Sequence, residues 1–347
     1  MNTNAHLQPQ NGYQRSATIE QMHPQSGQTR TRMVFDGGNR FIKWLDADNN
    51  KLRCIPSCVK ELSEYQWKRL KYDPQSVFIE VDNRRFVIGR LAQELGGEPT
   101  FQKSKCELAE ILVLVAMKPS SGFNHVRVEK LCIALPNSLN SDDVEAVQRI
   151  ANHPLTKEFV RNGHEITYTV AAVEPIDETY PAFLYAQKQG FYEFPSAKNA
   201  VWDIGGGTSI ARIYTPNGTL IHDAEVILPG TKQLAQQIAS ELKETYNLDY
   251  SPDLPEIMDA IERRDYLYGI DSLDFWDIYD RSASHWVEAA RSEIRSKWAS
   301  HMPQLGHVLV VGGSAELARP ICEATGDRFF IPEQPQFFNL IAMAHMD

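Results

Sequence analysis

Residues 200–208 read AVWDIGGGT, an apolar run that ends in Asp203 and passes into a glycine-rich turn. Two further turns of this kind follow apolar runs, DGGN at residues 36–39 and GGS at residues 312–314. The first of these also begins with an aspartate, Asp36. Only glycine lets a backbone approach a phosphate chain without a Cβ in the way. The three turns therefore predict two related half-domains that close on one nucleotide.

The composition is that of a globular protein with an acidic balance. A chain of 347 residues favours about two domains. Its 42% of hydrophobic residues is enough for packed cores, and its formal net charge is −10. Such a charge argues against a broad basic face for nucleic acid. We therefore expect no direct nucleic-acid contact, and a partner that makes the contact if the protein works on DNA.

Cysteine usage and hydropathy indicate the compartment. The five cysteines have scattered spacings, which disfavours a disulfide framework, and Cys54 with Cys58 alone is a poor zinc motif. No apolar run reaches the roughly 18 residues that a membrane helix needs. Residues 1–30 also lack the apolar core of a secretory signal. The sequence thus predicts a soluble cytoplasmic protein with reduced thiols and no membrane partner.

The chain divides into a polar tail and two similar halves. Residues 1–31 are rich in Gln, Asn, Ser, Thr and Pro, so we expect a disordered tail, or one that orders on a partner or a filament neighbour. Each half then begins with a strand, an aspartate, a glycine turn and a second strand. Strands alternating with helices follow in both halves, which predicts an α/β protein.

Turn residues and hydrophobic periodicity place the elements along the chain. Ser141 is the expected cap of one helix, because two aspartates follow it in the first turn. The expected elements are hairpins over 33–45 and 76–90, strands over 130–135, 166–173 and 307–311, a three-stranded meander over 200–228, and helices over 107–117, 141–152, 178–189 and 231–246, within 253–300, from Ser314 and after Pro335.

The aspartates of the first two turns predict a magnesium site. A carboxylate repels phosphate unless a divalent cation lies between them, and Mg²⁺ prefers oxygen ligands and keeps several waters. Asp36 and Asp203 would hold the ion from opposite sides of a cleft, mostly through water. Lys43 follows Asp36 by seven residues, so a tight hairpin returns its ammonium toward the β- and γ-phosphates. The alternative is a solvated lysine on a strand.

The remaining motifs are less specific. Gly312, Gly313 and Ser314 could let a purine and ribose lie against the backbone, or could form a plain strand–helix turn. Gly230 lies where a long helix begins and could be only its cap. The acidic segment over residues 173–182 offers carboxylates that could orient an attacking water, or could be solvated surface.

Over residues 33–347 these motifs resemble those of the actin superfamily, which includes actin, MreB, the heat-shock chaperone ATPases and the sugar kinases. Residues 36–43 and 203–208 resemble its two phosphate motifs, and 310–314 its adenosine motif. Residues 178–186 and 335–342 resemble its two connecting helices. The DGGN start, the Glu-x-x-Pro-Ala form at Glu178 and the Pro-Gln-Phe-x-Asn ending are most similar to the plasmid-segregation actins, the ParM/StbA group.

The resemblance implies an actin-like fold, a duplicated ribonuclease H-like architecture with two lobes around a nucleotide cleft. Lobe I would span residues 32–190 with a small insert near 53–105. Lobe II would span 191–347 with a small helical insert near 232–300. The last helix would return to lobe I.

It also implies the site residues. Asp36 and Asp203 would act in catalysis and hold Mg²⁺, and Glu178 would position the attacking water, with Glu174 as the competing alignment. Asn39 and Arg40 stand where many relatives carry small hydroxyl residues. The nucleotide-binding residues would be Gly37, Gly38, Asn39, Arg40, Lys43, Gly205, Gly206, Gly207, Thr208, Gly230, Gly312, Gly313 and Ser314.

The implied function is an ATPase, with GTP as an alternative nucleotide, that assembles into filaments according to nucleotide state. By resemblance the filament would segregate plasmid DNA through a DNA-binding adaptor protein. Two alternatives stay open, namely a cell-shape or division scaffold and a small-molecule kinase of the same fold.

Overall fold

The computed structural model describes residues 27–99, 108–326 and 328–346. Their main strands form a ten-stranded and a five-stranded sheet, and helices pack against both. The strands are β1 (Gln28–Gly37), β2 (Phe41–Leu45), β3 (Leu52–Pro56), β4 (Cys58–Glu61), β5 (Ser76–Val81), β6 (Arg84–Gly89), β7 (Glu98–Pro99), β8 (His125–Leu135), β9 (Lys157–Arg161), β10 (His164–Asp177), β11 (Lys198–Ile204), β12 (Thr208–Tyr214), β13 (Val226–Pro229), β14 (Leu267–Tyr268), β15 (Leu273–Asp274), β16 (Leu305–Val311) and β17 (Phe329–Phe330). The helices are α1 (Glu64–Trp67), α2 (Arg90–Glu94), α3 (Ala109–Val113), α4 (Ser141–Gln148), α5 (Tyr180–Lys188), α6 (Thr231–Thr245), α7 (Leu254–Arg263), α8 (Trp276–Trp298), α9 (Arg319–Ala324) and α10 (Phe338–Ala344).

The two sheets share one topology. In the first sheet β3, β2, β1, β8 and β10 lie side by side in that order, and in the second β13, β12, β11, β16 and β17 do so. In each set the first three strands are antiparallel and the last three are parallel. The first sheet continues beyond β10 through β9, β5, β6, β4 and β7. The predicted α/β fold with two related halves is therefore confirmed.

The C-terminal helix links the two halves. Leu340 and Met343 of α10 are buried against Val34, Cys132 and Ile176 of the first sheet. At its other end α10 follows a segment that contacts the second sheet, where the amide of Gly312 donates to the carbonyl of Pro335. Along the chain, β10 is the last strand of the first sheet and β11 is the first strand of the second. The bounds expected for the lobes and inserts stay predictions.

The N-terminal expectation was wrong over residues 28–31, which belong to β1. Gln28 and Thr29 pair in parallel with Val126 and Arg127 of β8. That strand lies about a hundred residues away and supplies hydrogen bonds that the polar composition of the segment does not reveal. Residues 1–26, which make up the rest of the predicted tail, lie outside the described residues.

Several element boundaries also differ from the expectation. The side chain of Asn140, one residue before Ser141, accepts from the amides of Asp142 and Asp143 and caps α4. The expected helix over 107–117 is shorter, as α3, because the buried residues after it continue as turns. The third strand of the meander is only the four-residue β13, and the β14–β15 hairpin interrupts the region of 253–300.

No helix among the described residues is both long enough and apolar enough to cross a lipid bilayer.

Candidate functional site

The carboxyl ends of parallel strands from both sheets meet at one cavity. Asp36 lies near the end of β1, Asp203 near the end of β11, Glu178 just after β10 and Gly312 just after β16. Ligand sites in α/β sheets form at this edge, where the strands stop and the connections diverge. The predicted site residues that line the cavity are Asp36, Gly38, Asn39, Arg40, Lys43, Glu178, Asp203, Gly205, Gly206, Gly207, Thr208, Gly312, Gly313 and Ser314.

Lys43 and Asp36 form a largely buried ion pair. The β1–β2 ladder places the two residues opposite each other, and Lys43 Nζ lies 2.9 Å from Asp36 Oδ2. Burial alone would lower the pKa of Lys43, but Asp36, Asp203 and Glu178 raise it above its usual value. The ammonium is therefore charged in a pocket of three carboxyl groups, and a hairpin spacing of seven residues brings it there.

Asp203 is the buried acid of the site. Its pKa is raised to about 7, chiefly by burial and also by the nearby carboxyl groups of Glu178 and Asp36, while Lys43 and Asn339 act in the opposite direction. Asn339, at the start of α10, donates from Nδ2 to Asp203 Oδ2 at 2.5 Å. A carboxyl group with this environment, in a cleft beside a cation, is typical of a functional site.

Glu178 stands on a strained backbone. The next residue, Thr179, is fully buried and has φ 79°, a conformation that a β-branched residue rarely adopts. The Thr179 hydroxyl lies 2.8 Å from the Tyr214 hydroxyl, and the Glu178 carbonyl accepts from Arg212 Nη1 at 2.7 Å. Strain of this kind costs on the order of 1–3 kcal/mol and persists where surrounding contacts hold it, commonly at active sites.

Glu174, the competing residue, lies in a different environment. Its carboxylate forms ion pairs with Arg32 at 3.2 Å and Lys130 at 3.3 Å. It is also absent from the lining of the cavity that holds Glu178. The geometry therefore favours Glu178 over Glu174 for work on a ligand in the cleft, and its role stays a prediction.

The glycine turn after β11 is supported by the start of α6. The amides of residues 230–232 donate to the carbonyls of residues 205–207 at 2.8–3.1 Å. These hydrogen bonds turn the carbonyl oxygens of the loop, which would repel an anion, toward the start of α6. Gly230 is the N-cap of α6, and a Cβ there would come within 2.5 Å of the Gly205 carbonyl oxygen. Gly230 supports the loop from behind, and Gly37 remains in the β1–β2 ladder, so neither lines the cavity.

The third turn packs directly on the acidic centre. Gly312 has φ 98°, and a Cβ on it would lie 2.3 Å from Asp203 Oδ1. The amide of Ser314 donates to the Ile204 carbonyl, and its hydroxyl lies 3.2 Å from that of Thr231. The geometry is therefore more specific than a plain strand–helix turn, because only glycine fits beside the carboxylate.

Arg40 crosses between the halves. Its Nη2 lies 2.7 Å from Glu262 Oε2 and 3.0 Å from Asp259 Oδ1, both on α7, and it also donates to the Met258 carbonyl. Beside it, Asn39 packs so closely on Gly207 that a Cβ there would overlap its amide. The predicted phosphate-binding Arg40 thus contacts α7 in this structure.

A larger cavity adjoins the acidic one and shares the Gly312 turn with it. Its volume is about 820 Å³, whereas the acidic cavity has about 70 Å³. Tyr266, Trp276 and Tyr279 form an aromatic wall, and Arg264 and Glu316 add charge. An aromatic wall of this kind offers apolar faces on which a planar ring could pack.

Sequence reasoning missed several of these residues. The aromatic wall had no recognisable signal, because it lies in a charged, mainly helical stretch. Gln336 and Asn339 line the acidic cavity, and the Pro-Gln-Phe-x-Asn ending contains both. That motif could have identified them.

The donors present fit a hydrated Mg²⁺ shared with phosphate. No group of three or more His, Cys, Asp or Glu side chains within the described ranges could hold a metal alone. Asp36 and Asp203 nevertheless supply hard oxygen ligands from opposite sheets, and the buried Oδ1 of Asn339 has no hydrogen-bond partner among the described residues. Phosphate oxygens and water would complete the shell.

Comparisons with known proteins agree with this geometry. Residues 35–180 match the family model described as "Actin like proteins N terminal domain". The fold matches an archaeal actin homologue in complex with ADP, with 14% identity, a TM-score of 0.72, and coverage of 90% of this chain and 98% of the other. A 15-stranded ParM filament from Clostridium botulinum matches with 12% identity, a TM-score of 0.70 and coverage of 91% and 98%. Bacillus thuringiensis ParM with ATP matches with 17% identity, a TM-score of 0.61 and coverage of 90% and 97%.

No curated protein matches the chain in sequence. The fold and the N-terminal match nevertheless agree with the motifs that meet at the cleft. The chain is therefore a protein of the actin-like fold, and its residues 35–180 match the N-terminal domain of the actin-like proteins.

Proposed function

We propose that this protein binds and hydrolyses a nucleoside triphosphate with Mg²⁺ and assembles into filaments that segregate plasmid DNA. The observation that carries the proposal is the meeting of Asp36, Lys43, Glu178 and Asp203 at one cavity that opens beside an aromatic-walled one. The structural neighbours include an archaeal actin homologue with ADP and a ParM with ATP, which supports nucleotide binding.

Each side chain has a role in this proposal. Mg²⁺, when bound, supplies charge neutralisation for the phosphates. Asp36 and Asp203 would hold it, mostly through water. Lys43, kept charged by its carboxyl neighbours, would neutralise the β- and γ-phosphate oxygens. Glu178 orients the attacking water and accepts its proton.

The larger cavity is the proposed base site. Tyr266 and Trp276 offer aromatic faces to a purine, and the Gly312 turn allows the ribose to approach the backbone. ATP and GTP remain alternatives, since Arg264 and Glu316 can satisfy polar edges of either base.

Filament formation and plasmid segregation rest on the neighbours. One of them is a ParM filament, and all share the fold at low identity. The net charge of −10 supports a DNA-binding adaptor as the partner that contacts DNA.

The test is nucleotide-dependent pelleting of the purified full chain. We expect polymer with ATP or GTP in Mg²⁺, disassembly as phosphate is released, and no polymer in EDTA. Asp203→Ala should pellet no polymer under any of these conditions. If a titration well above the critical concentrations usual for such filaments yields no polymer with any nucleotide, filament assembly is wrong. Release of nucleoside diphosphate without inorganic phosphate, seen only on adding a hydroxylated small molecule that becomes phosphorylated, would instead indicate a kinase.

A further inference from the structure

Asn339 connects Asp203 of the second sheet to the C-terminal helix α10. Its Nδ2 donates to Asp203, which belongs to the second sheet. Its own helix, α10, packs on both sheets, because Leu340 is buried with Val34 of the first sheet and Phe338 with Val201 of the second. One side-chain hydrogen bond therefore ties the orientation of the Asp203 carboxylate to the helix that joins the two halves.

The second polar atom of Asn339 faces the site without a partner. Oδ1 is buried, and no donor among the described residues reaches it. The orientation of the amide follows from chemistry, because a carboxylate accepts and only Nδ2 can donate. A buried carbonyl oxygen left unpaired keeps its desolvation cost, so this position favours a ligand that brings a donor. Water held between the carboxylates and a phosphate is such a donor.

We propose, on the basis of the proposed function, that Asn339 is the positioning residue of the site. Its Nδ2 sets the rotation of the Asp203 carboxylate, and its Oδ1 accepts from a water held in the Mg²⁺–nucleotide complex. Asn339 acts through Asp203 and this water. Partners of this kind typically change metal affinity or activity by about 10–100-fold when they are removed.

The test compares nucleotide affinity with and without the metal. A fluorescent ATP analogue is titrated into the full chain in Mg²⁺ and in EDTA, and the ratio of the two Kd values measures the metal-dependent gain. Asn339→Leu keeps the side-chain volume and removes both polar atoms. Asn339→Asp keeps an oxygen acceptor and loses the donor toward Asp203. His345→Ala, at the exposed end of α10, is the control for the packing of that helix.

We expect Asn339→Leu to lose about tenfold of the metal-dependent gain, because it has no polar atom to hold the metal-bound water. Its affinity in EDTA should stay within about twofold of the wild type, and its KM for the Mg²⁺ complex should rise with the Kd in Mg²⁺. The kcat of both Asn339 variants should fall about tenfold or more, because both lose the donor toward Asp203. A merely structural role would weaken binding equally in both buffers. His345→Ala should match the wild type in every reading.

The outcomes separate the two proposals. Variants that bind nucleotide with an unchanged ratio and an unchanged kcat would overturn the role of Asn339 and leave nucleotide hydrolysis standing. A wild-type chain that binds nucleotide in neither buffer would overturn both. Thermal melting of each variant guards against misfolding, and an Asn339→Leu protein that is unfolded leaves Asn339→Asp to decide.

Discussion

Asp203 shows how single residues trade stability for function at this site. Burial and two neighbouring carboxyl groups make its charged form unfavourable, and its pKa is about 7. Gly312 adds to the crowding, because it leaves room for no Cβ between the third turn and the carboxylate. A buried carboxylate of this kind lowers the stability of the protein without ligand, and a bound cation would offset that cost.

Asp203→Asn should therefore stabilise the protein without nucleotide at high pH. The unfolded chain releases this proton near pH 3.8 and the folded one near 7. Between these values the folded state binds more protons, so the Asp203 contribution to stability falls as pH rises. The neutral amide removes this loss, which is on the order of 1.4 kcal/mol per pKa unit at most.

Denaturant unfolding at pH 5 and pH 8 measures the effect. We expect the variant to exceed the wild type at pH 8, and its advantage to be smaller at pH 5, where only part of the loss has occurred. Asp271→Asn, on the exposed β14–β15 loop, is the matched control and should shift neither value. An equal pH dependence of the wild type and Asp203→Asn would contradict the prediction.

Glu178→Ala should separate assembly from hydrolysis. The carboxylate is proposed to activate water and not to hold the nucleotide, so polymer should still form with a triphosphate. Loss of a general base typically lowers the rate by about 100-fold or more. Phosphate release and light scattering are followed in the same sample, with Glu174→Ala as the control. Unchanged turnover in Glu178→Ala would remove Glu178 from this role.

At the scale of elements, α7 closes the cleft over the glycine loops. Its residues Asp259 and Glu262 contact Arg40 of the β1–β2 turn, and Met258 lies beside Gly206. The acidic cavity, which the three glycine turns line, has only about 70 Å³. If the cleft binds a triphosphate as proposed, we expect the contacts between Arg40 and α7 to separate when it enters or leaves.

Arg40→Ala should speed nucleotide exchange. The Arg40 side chain is 18% exposed and its partners are 43% and 47% exposed, so the pairs contribute about 1 kcal/mol. That energy corresponds to roughly fivefold faster release of a labelled nucleotide, measured by stopped flow. Arg84→Ala is the control, since its partner Glu61 lies in the same sheet. A release rate equal to that of the wild type would show that the Arg40 contacts do not limit opening.

At the scale of the whole molecule, the C-terminal helix α10 packs against both sheets. Leu340 and Met343 complete a core with residues of the first sheet, and Phe338 on the same helix is buried with Val201 and Leu309 of the second. The duplicated topology thus yields two sheets whose separate cores are joined by a segment that is distant in sequence. Contacts of this kind let a change at the cleft reach both halves.

Leu340→Ala should destabilise the first sheet although it lies at the end of the chain. Leu340 is fully buried, and removing its side chain in a core costs about 2–5 kcal/mol. Denaturant unfolding followed by the intrinsic fluorescence of the six tryptophans, of which Trp44 is buried in the first sheet, reports the loss. His345→Ala on the same helix should be neutral. A Leu340→Ala protein with the midpoint of the wild type would show that α10 does not hold this core.

The predictable parts of the fold were those with a local cause. The β1–β2 hairpin, the β5–β6 hairpin and the strand before Gly312 each combine apolar residues with a turn that glycine or asparagine favours. The parts that could not be predicted depend on distant partners. The polar start of β1 is a strand only because β8 pairs with it, and the aromatic wall lines the larger cavity only because α8 and the segment after α7 bring it to the Gly312 turn.

By itself, the amino-acid sequence determined the acidic turns and the lysine that faces them, because glycine and aspartate at a strand end act through their immediate neighbours. Only the tertiary structure decided that Glu178 lines the cleft while Glu174 pairs with Arg32. The two glutamates are only four positions apart, and their sequence context does not show that their surroundings differ. The tertiary structure likewise decided that Arg40 contacts α7 and that Asn339 meets Asp203. These contacts join residues more than a hundred positions apart, and no local pattern specifies them.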